Sequence, residues 1–199
     1  MSGGIRSIKV IKPGLLVRSE TGVILDARST VTLIQSEKNN ILVDTSLKKD
    51  RESLLFGLQE QNLTPKDINI VINTHGHRDH VENNVLFSSA KIYVHHLNKL
   101  RGKCVKVKSF PYYLEKDIKI IETPGHSWDS ISIIVKFDLI YALTGDAIPI
   151  KNNYFEWIPP IVHVDANRAL ESMKQIVQLA DIIIPGHEPP FRIEKSFIQ

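Results

Sequence analysis

Residues 68–80 read Ile68-Asn69-Ile70-Val71-Ile72-Asn73-Thr74-His75-Gly76-His77-Arg78-Asp79-His80. Four of the first five are apolar and β-branched, the pattern of a buried strand. The last six place three histidines and an aspartate directly after it. Imidazole nitrogens and carboxylate oxygens form the donor set that suits zinc and related divalent ions. On an extended segment, residues two apart point the same way, so His75 and His77 can share one ion.

Outward from this stretch, one local design recurs. Ile118–Ile121 leads through Gly125 to His126, Leu139–Leu143 through Gly145 to Asp146, and Ile182–Ile184 through Gly186 to His187. Loops at strand ends are where a rigid sheet can gather side chains around one point, and a preceding glycine permits a tight turn. This grouping lets His126 join His75 and His77 on one ion, and His187 join Asp79 and His80 on a second. Asp146 can bridge the two. A lone histidine carries little weight, but the joint pattern does. Asp44 ends another apolar run, Ile41-Leu42-Val43; it is placed either to shape a turn or to hold a ligand histidine through its other ring nitrogen.

The remaining chain fits a layered architecture. Ile5–Ile11, Leu15–Val17, Val23–Leu25 and Thr30–Gln35 read as strands, and Lys91–Val94 and Ile131–Val135 as later ones. A helix is expected around Leu47–Leu58, and a short one near Val81–Phe87. The clearest helical stripe runs through Ala166, Ala169, Leu170, Met173, Ile176, Val177 and Ala180, with Asp165 as its cap. Strands first in a run and then alternating with helices predict an α/β fold, two sheets packed together with helices outside. Residues 1–199 are expected to form one such domain.

The 199 residues are 42% hydrophobic and 24% charged, which excludes a disordered or fibrous chain. The one cysteine, Cys104, cannot form an internal disulfide. Met1–Val10 lacks the apolar core of a secretory signal, and no run approaches the roughly 20 apolar residues of a membrane helix. The expectation is a cytoplasmic protein without membrane association. The net charge of +3 does not itself call for a polyanionic partner. Lys99, Arg101, Lys103, Lys106 and Lys108 do cluster, as on a charge-protected edge strand or an anion-attracting patch.

His75-Gly76-His77-Arg78-Asp79-His80 resembles the H-x-H-x-D-H motif of the metallo-β-lactamase superfamily, and His126, Asp146 and His187 match its remaining ligand positions in order. Thr123-Pro124-Gly125-His126, Thr144-Gly145-Asp146 and Leu42-Val43-Asp44-Thr45 resemble its local contexts. Pro185–Arg192 looks most like the metallo-β-lactamase domain-containing protein 1 group. The resemblance implies a four-layer αββα sandwich with two divalent metal ions, zinc first and manganese or iron as alternatives. It also implies hydrolysis by a water or hydroxide bridged between the metals, with Asp79 as the catalytic carboxylate and Asp44 behind a ligand. The expected substrate is a small-molecule ester, thioester or related carbonyl compound. Alternatives are a phosphodiesterase or nuclease acting on nucleic acid, a mononuclear iron dioxygenase of the persulfide type, and a non-catalytic binding member. A homodimer is compatible with the sequence. Glu82 departs from the many relatives with glycine there and is read as favouring a helix start. The aromatic, proline-rich Tyr154–Pro160 segment is read as a wall over the metals or a packed loop.

Overall fold

Aliphatic runs broken by turn residues set the strands of the computed structural model, which describes residues 4–194. The chain opens with β1 (Ile5–Lys12), then a hairpin of β2 (Leu15–Arg18) and β3 (Ile24–Arg28), then β4 (Val31–Ser36) and β5 (Asn40–Val43). After α1 (Arg51–Gln59) come β6 (Ile70–Ile72), the short α2 (Arg78–Val81), β7 (Lys91–His95) and β8 (Cys104–Val107). The second half supplies β9 (Tyr112–Glu115), β10 (Ile118–Glu122), β11 (Ile131–Lys136), β12 (Ile140–Gly145) and α3 (Lys151–Phe155). It closes with α4 (Ala166–Leu179), β13 (Ile182–Pro185) and β14 (Phe191–Arg192).

The strands form two mixed six-stranded sheets, ordered β1-β4-β5-β6-β7-β8 and β14-β13-β12-β11-β10-β9, with β2–β3 as a separate ribbon. Period-two alternation explains why the central strands read as unbroken apolar runs. Ile41 and Val43, Ile70 and Ile72, Ile131 and Ile133, Leu143 and Ile184 face the opposite sheet. Leu42 and Val71 face outward onto Leu54 and Leu58 of α1, and Ile134, Ala142 and Ile183 face outward onto Met173, Ile176 and Val177 of α4. Both faces of each sheet are covered, as in other sheets with parallel central strands. Each fully buried Ile or Leu is worth roughly 1.5–3 kcal/mol relative to exposure. The order of layers is helix, sheet, sheet, helix: the αββα sandwich expected from the sequence.

Several local expectations shift. The helix expected near Val81–Phe87 starts earlier, at Arg78, because His77 is extended and leaves Asp79 in the favourable first turn. It stops at Val81 because the Asn83 amide turns back to the carbonyls of Thr45 and Leu47. Glu82 therefore closes α2 and does not start a helix; it accepts hydrogen bonds from the Lys48 amide and from Arg78. The basic 99–108 segment contains β8, an edge strand parallel to β7. Cys104 on that strand is half-buried, and no helix among the described residues is long and apolar enough to cross a membrane.

Candidate metal centre

Parallel pairing decides where the candidate ligands meet. β5 runs parallel to β6 and β12 parallel to β13, so Asp44, His75, Asp146 and His187 all emerge at one edge of the sandwich. His77 and His80 flank the start of α2. His126 arrives from β10 through Gly125, whose φ of +135° and contact with the Ala169 backbone admit no side chain. The carbonyl of Gly125 accepts hydrogen bonds from the amides of Val164 and Asp165, which pins this turn to the start of α4.

All seven sequence-nominated residues converge. His75, His77, His126 and Asp146 place one donor atom each within 4.8 Å of one another, and Asp79, His80 and His187 do the same beside them. Asp146 joins the two groups. Its Oδ1 lies 3.3 Å from Nε2 of His80 and 3.1 Å from Nε2 of His187; its Oδ2 lies 3.3 Å from Nε2 of His126 and 3.9 Å from Nε2 of His75. Nε2 of His75 and Nε2 of His126 approach Nδ1 of His77 at 3.0 and 2.9 Å.

The outward ring nitrogens explain this inward aim. His126 donates from Nδ1 to the carbonyl of Val162 at 2.7 Å and His187 to that of Arg28 at 2.9 Å. A carbonyl only accepts, so each Nε2 keeps its lone pair for the centre. Nδ1 of His80 lies 2.7 Å from Oδ2 of Asp44, whose other oxygen receives the amide of Thr74 at 2.8 Å. Asp44 adopts φ +60° to do this, a conformation aspartate tolerates better than most residues. The sequence allows Asp44 a turn or a ligand-orienting role, and the structure sets it against His80. The two backbone carbonyls that orient His126 and His187 are announced by no side-chain pattern.

The donor set fits divalent metal. Nε2 of His80 and Oδ1 of Asp146 are buried without a hydrogen bond, an arrangement that costs free energy unless a cation completes it. Burial pushes His75 and His126 below the ordinary histidine range. Burial acts the same way on His80 and His187, but it is outweighed by Asp44 and Asp146 at His80 and by Asp146 at His187, so both are raised. Burial opposes charge on Asp146 as well, yet His187 and His80 hold its carboxyl well below the usual range. Proton and metal therefore compete for these atoms.

Above the donors lies a cavity of about 120 Å³ walled by Leu16, Ile24 and Ala27 on one side and Pro160, Ile161 and Val162 on the other. The wall expected from Tyr154–Pro160 is thus made by the end of that segment and the two residues after it. Tyr154 instead lies buried in α3, its ring tilted against Phe191 and its hydroxyl on the Glu194 carbonyl. Outside the cluster, His95 bonds Glu122 at 2.7 Å and His163 bonds the Pro160 carbonyl at 2.6 Å.

Comparison with known proteins agrees with this geometry. Residues 26–103 match the model of the metallo-beta-lactamase superfamily. A probable metallo-hydrolase of Methanocaldococcus jannaschii is 46% identical over 181 residues, covering 91% of this chain and 86% of that protein. The chain belongs to the metallo-beta-lactamase superfamily. Within the superfamily, the metallo-beta-lactamase domain-containing protein 1 of Xenopus laevis is 36% identical over 200 residues, covering 97% of this chain and 84% of that one. A B. thuringiensis structure with N-decanoyl-L-homoserine bound at its active site superposes with a TM-score of 0.73, covering 94% of each chain at 20% identity, a likeness of fold. As a member of this superfamily with a His/Asp cluster able to bind metal, the protein is a metallo-hydrolase.

Proposed function

We propose that the site holds two divalent ions, zinc in the first instance, and hydrolyses small esters, thioesters or lactones. The observation that carries this reading is the placement of Asp146, with one oxygen toward His80 and His187 and the other toward His126 and His75. In this assignment His75, His77 and His126 hold one ion, Asp79, His80 and His187 the other, and Asp146 both. Ions bound there would lower the pKa of water from 15.7 towards ~7 and polarise the scissile carbonyl.

The chain's own residues supply the rest. Asp79 is the most exposed of the second group, lines the cavity and keeps Oδ2 3.6 Å from Nε2 of both His80 and His187. From there its carboxylate can take a proton from the nucleophile and return it to the leaving group. The amide of Ser29 bonds the Asp79 carbonyl at 3.3 Å and steadies it. Apolar walls on both sides exclude bulk water and favour a substrate with a short hydrocarbon portion. The superfamily neighbour holding N-decanoyl-L-homoserine lends support to a carbonyl substrate. None of the lysines and arginines of the 99–108 segment lines this cavity, so that basic segment does not bear on the proposed reaction.

Metal stoichiometry on protein purified without added metal, followed by a screen of esters, thioesters, lactones and phosphodiesters, tests the proposal. Two metal equivalents with carbonyl hydrolysis that His77→Ala abolishes is the expected result. A single iron per chain with thiol oxidation would replace it by a dioxygenase, and oligonucleotide cleavage that falls steeply with salt would replace it by a nuclease.

A further inference from the structure

One cation interrupts the apolar walls of the cavity over the metal centre. Arg18 lines it together with Leu16, Ile24 and Ala27 of the same hairpin. The two-residue period of a strand accounts for this: Leu15 and Val17 are exposed, whereas Leu16 and Arg18 turn to the opposite face. Across the hairpin Leu16 pairs with Ala27 and Arg18 with Ile24, so the four form one surface.

The base of this hairpin is fixed to the centre, with the Arg28 carbonyl on Nδ1 of His187 and the Ser29 amide on the Asp79 carbonyl. Arg18 lies nearer the tip, two residues beyond Leu16, a rise of roughly 7 Å. It therefore stands farther out than Leu16 and Ala27, level with Ile24.

Unlike its neighbours, Arg18 is not neutralised. Asp26, the acid on β3, is taken by Arg28 and Lys49, and Arg28 also reaches Asp50 at 3.1 Å. Among the described residues, Nε of Arg18 is buried with no hydrogen-bond partner and no ion pair involves Arg18. A desolvated, unsatisfied guanidinium donor is costly, and its planar fork matches the two oxygens of a carboxylate or the face of a phosphate.

We propose that Arg18 seats an oxyanion, a carboxylate or phosphate, carried on the substrate a short apolar spacer away from the scissile carbonyl. This rests on the reading of the site as a metal-dependent hydrolase of carbonyl compounds and narrows its substrates to anionic ones.

The test compares metal-loaded wild type, Arg18→Gln and Arg18→Lys on three para-nitrophenyl esters of matched length, ending in a carboxylate, a phosphonate or a neutral methyl ester. Wild type is expected to favour an anionic ester over the neutral one in kcat/KM by roughly tenfold to a hundredfold, the range of a hydrogen bond to a charged group. Added salt should compress that ratio, Arg18→Lys should keep part of it, and Arg18→Gln should bring it close to one. The better of the two anions identifies the oxyanion. Equal rates on charged and neutral esters in wild type, or a preference that survives Arg18→Gln, would overturn the proposal. If no ester is turned over, the hydrolase reading fails separately. Arg18 is then read by calorimetry, as tighter binding of glutarate than of its monomethyl ester in wild type but not in Arg18→Gln; equal affinities in wild type overturn it. Should Arg18→Gln not fold, the salt dependence and Arg18→Lys carry the same comparison.

Discussion

Asp44 accepts a 2.7 Å hydrogen bond from Nδ1 of His80, and the same carboxylate receives both the amide and the hydroxyl of Thr74 at 2.8 Å. A wholly buried histidine is thereby held in one orientation with Nε2 directed at Asp146. Strand β5 thus controls a donor that the chain delivers from the helix after β6.

Asp44→Asn keeps the shape of the side chain but offers His80 an amide in place of a charged acceptor. Loss of such an outer partner typically weakens metal affinity about 10–100-fold. Competition with a chelator should show a decrease of that size in Asp44→Asn, with the fold retained by circular dichroism. Wild-type affinity in the variant would reduce Asp44 to a turn residue.

Gly186→Ala probes a close approach at the centre. A Cβ there would press on Oδ1 of Asp146 and on the backbone of Gly145. Asp146 would have to move, and it is the carboxylate shared by the two ligand groups. Metal analysis of Gly186→Ala should find less than the wild-type stoichiometry, and thermal melts should show a lower Tm. A variant with full metal content would mean that Asp146 has room to yield.

Histidine and aspartate spacing, together with apolar runs on both sides of each sheet, made the sandwich and its seven clustered donors legible in the sequence. Less visible was whatever depends on backbone. The carbonyls of Val162 and Arg28 orient His126 and His187, yet any residue supplies a carbonyl. β9 and β14 are short edge strands whose pairing is set by the neighbouring strand more than by their own pattern. The expected Val81–Phe87 helix divides into α2, which starts earlier because of the extended His77 and early Asp79, and a 3-10 turn at Asn84–Leu86. Arg18 stood out only once the hairpin register showed which face of β2 it shares with Leu16.

Metal should also stabilise the fold. Without a cation, Nε2 of His80 and Oδ1 of Asp146 are buried and unsatisfied. A ligand that binds only the native state adds about 2.7 kcal/mol at a hundred times its Kd. Zinc added to chelator-stripped protein is therefore expected to raise Tm in a concentration-dependent way. The increase should be much smaller in His126→Ala, which removes a donor buried at the site. Equal melting of stripped and zinc-loaded wild type would argue against a preformed centre.

The hairpin beside the centre carries its own pH dependence. Hydrogen bonds from Arg28 and Lys49 lower the carboxyl of Asp26 from 3.8 to about 2. A carboxyl with a depressed folded pKa stabilises the native state above its unfolded value, and that contribution fades as pH falls through the folded one. Asp26→Asn should therefore melt below wild type at pH 6. The gap should narrow below roughly pH 4, the ordinary aspartate range, and be nearly closed near pH 2. Because Asp26 is partly exposed, added salt should shrink the gap at pH 6 as well. Parallel urea titrations of both proteins across this range provide the measurement, and a difference that stays constant with pH would assign the effect of the substitution to packing.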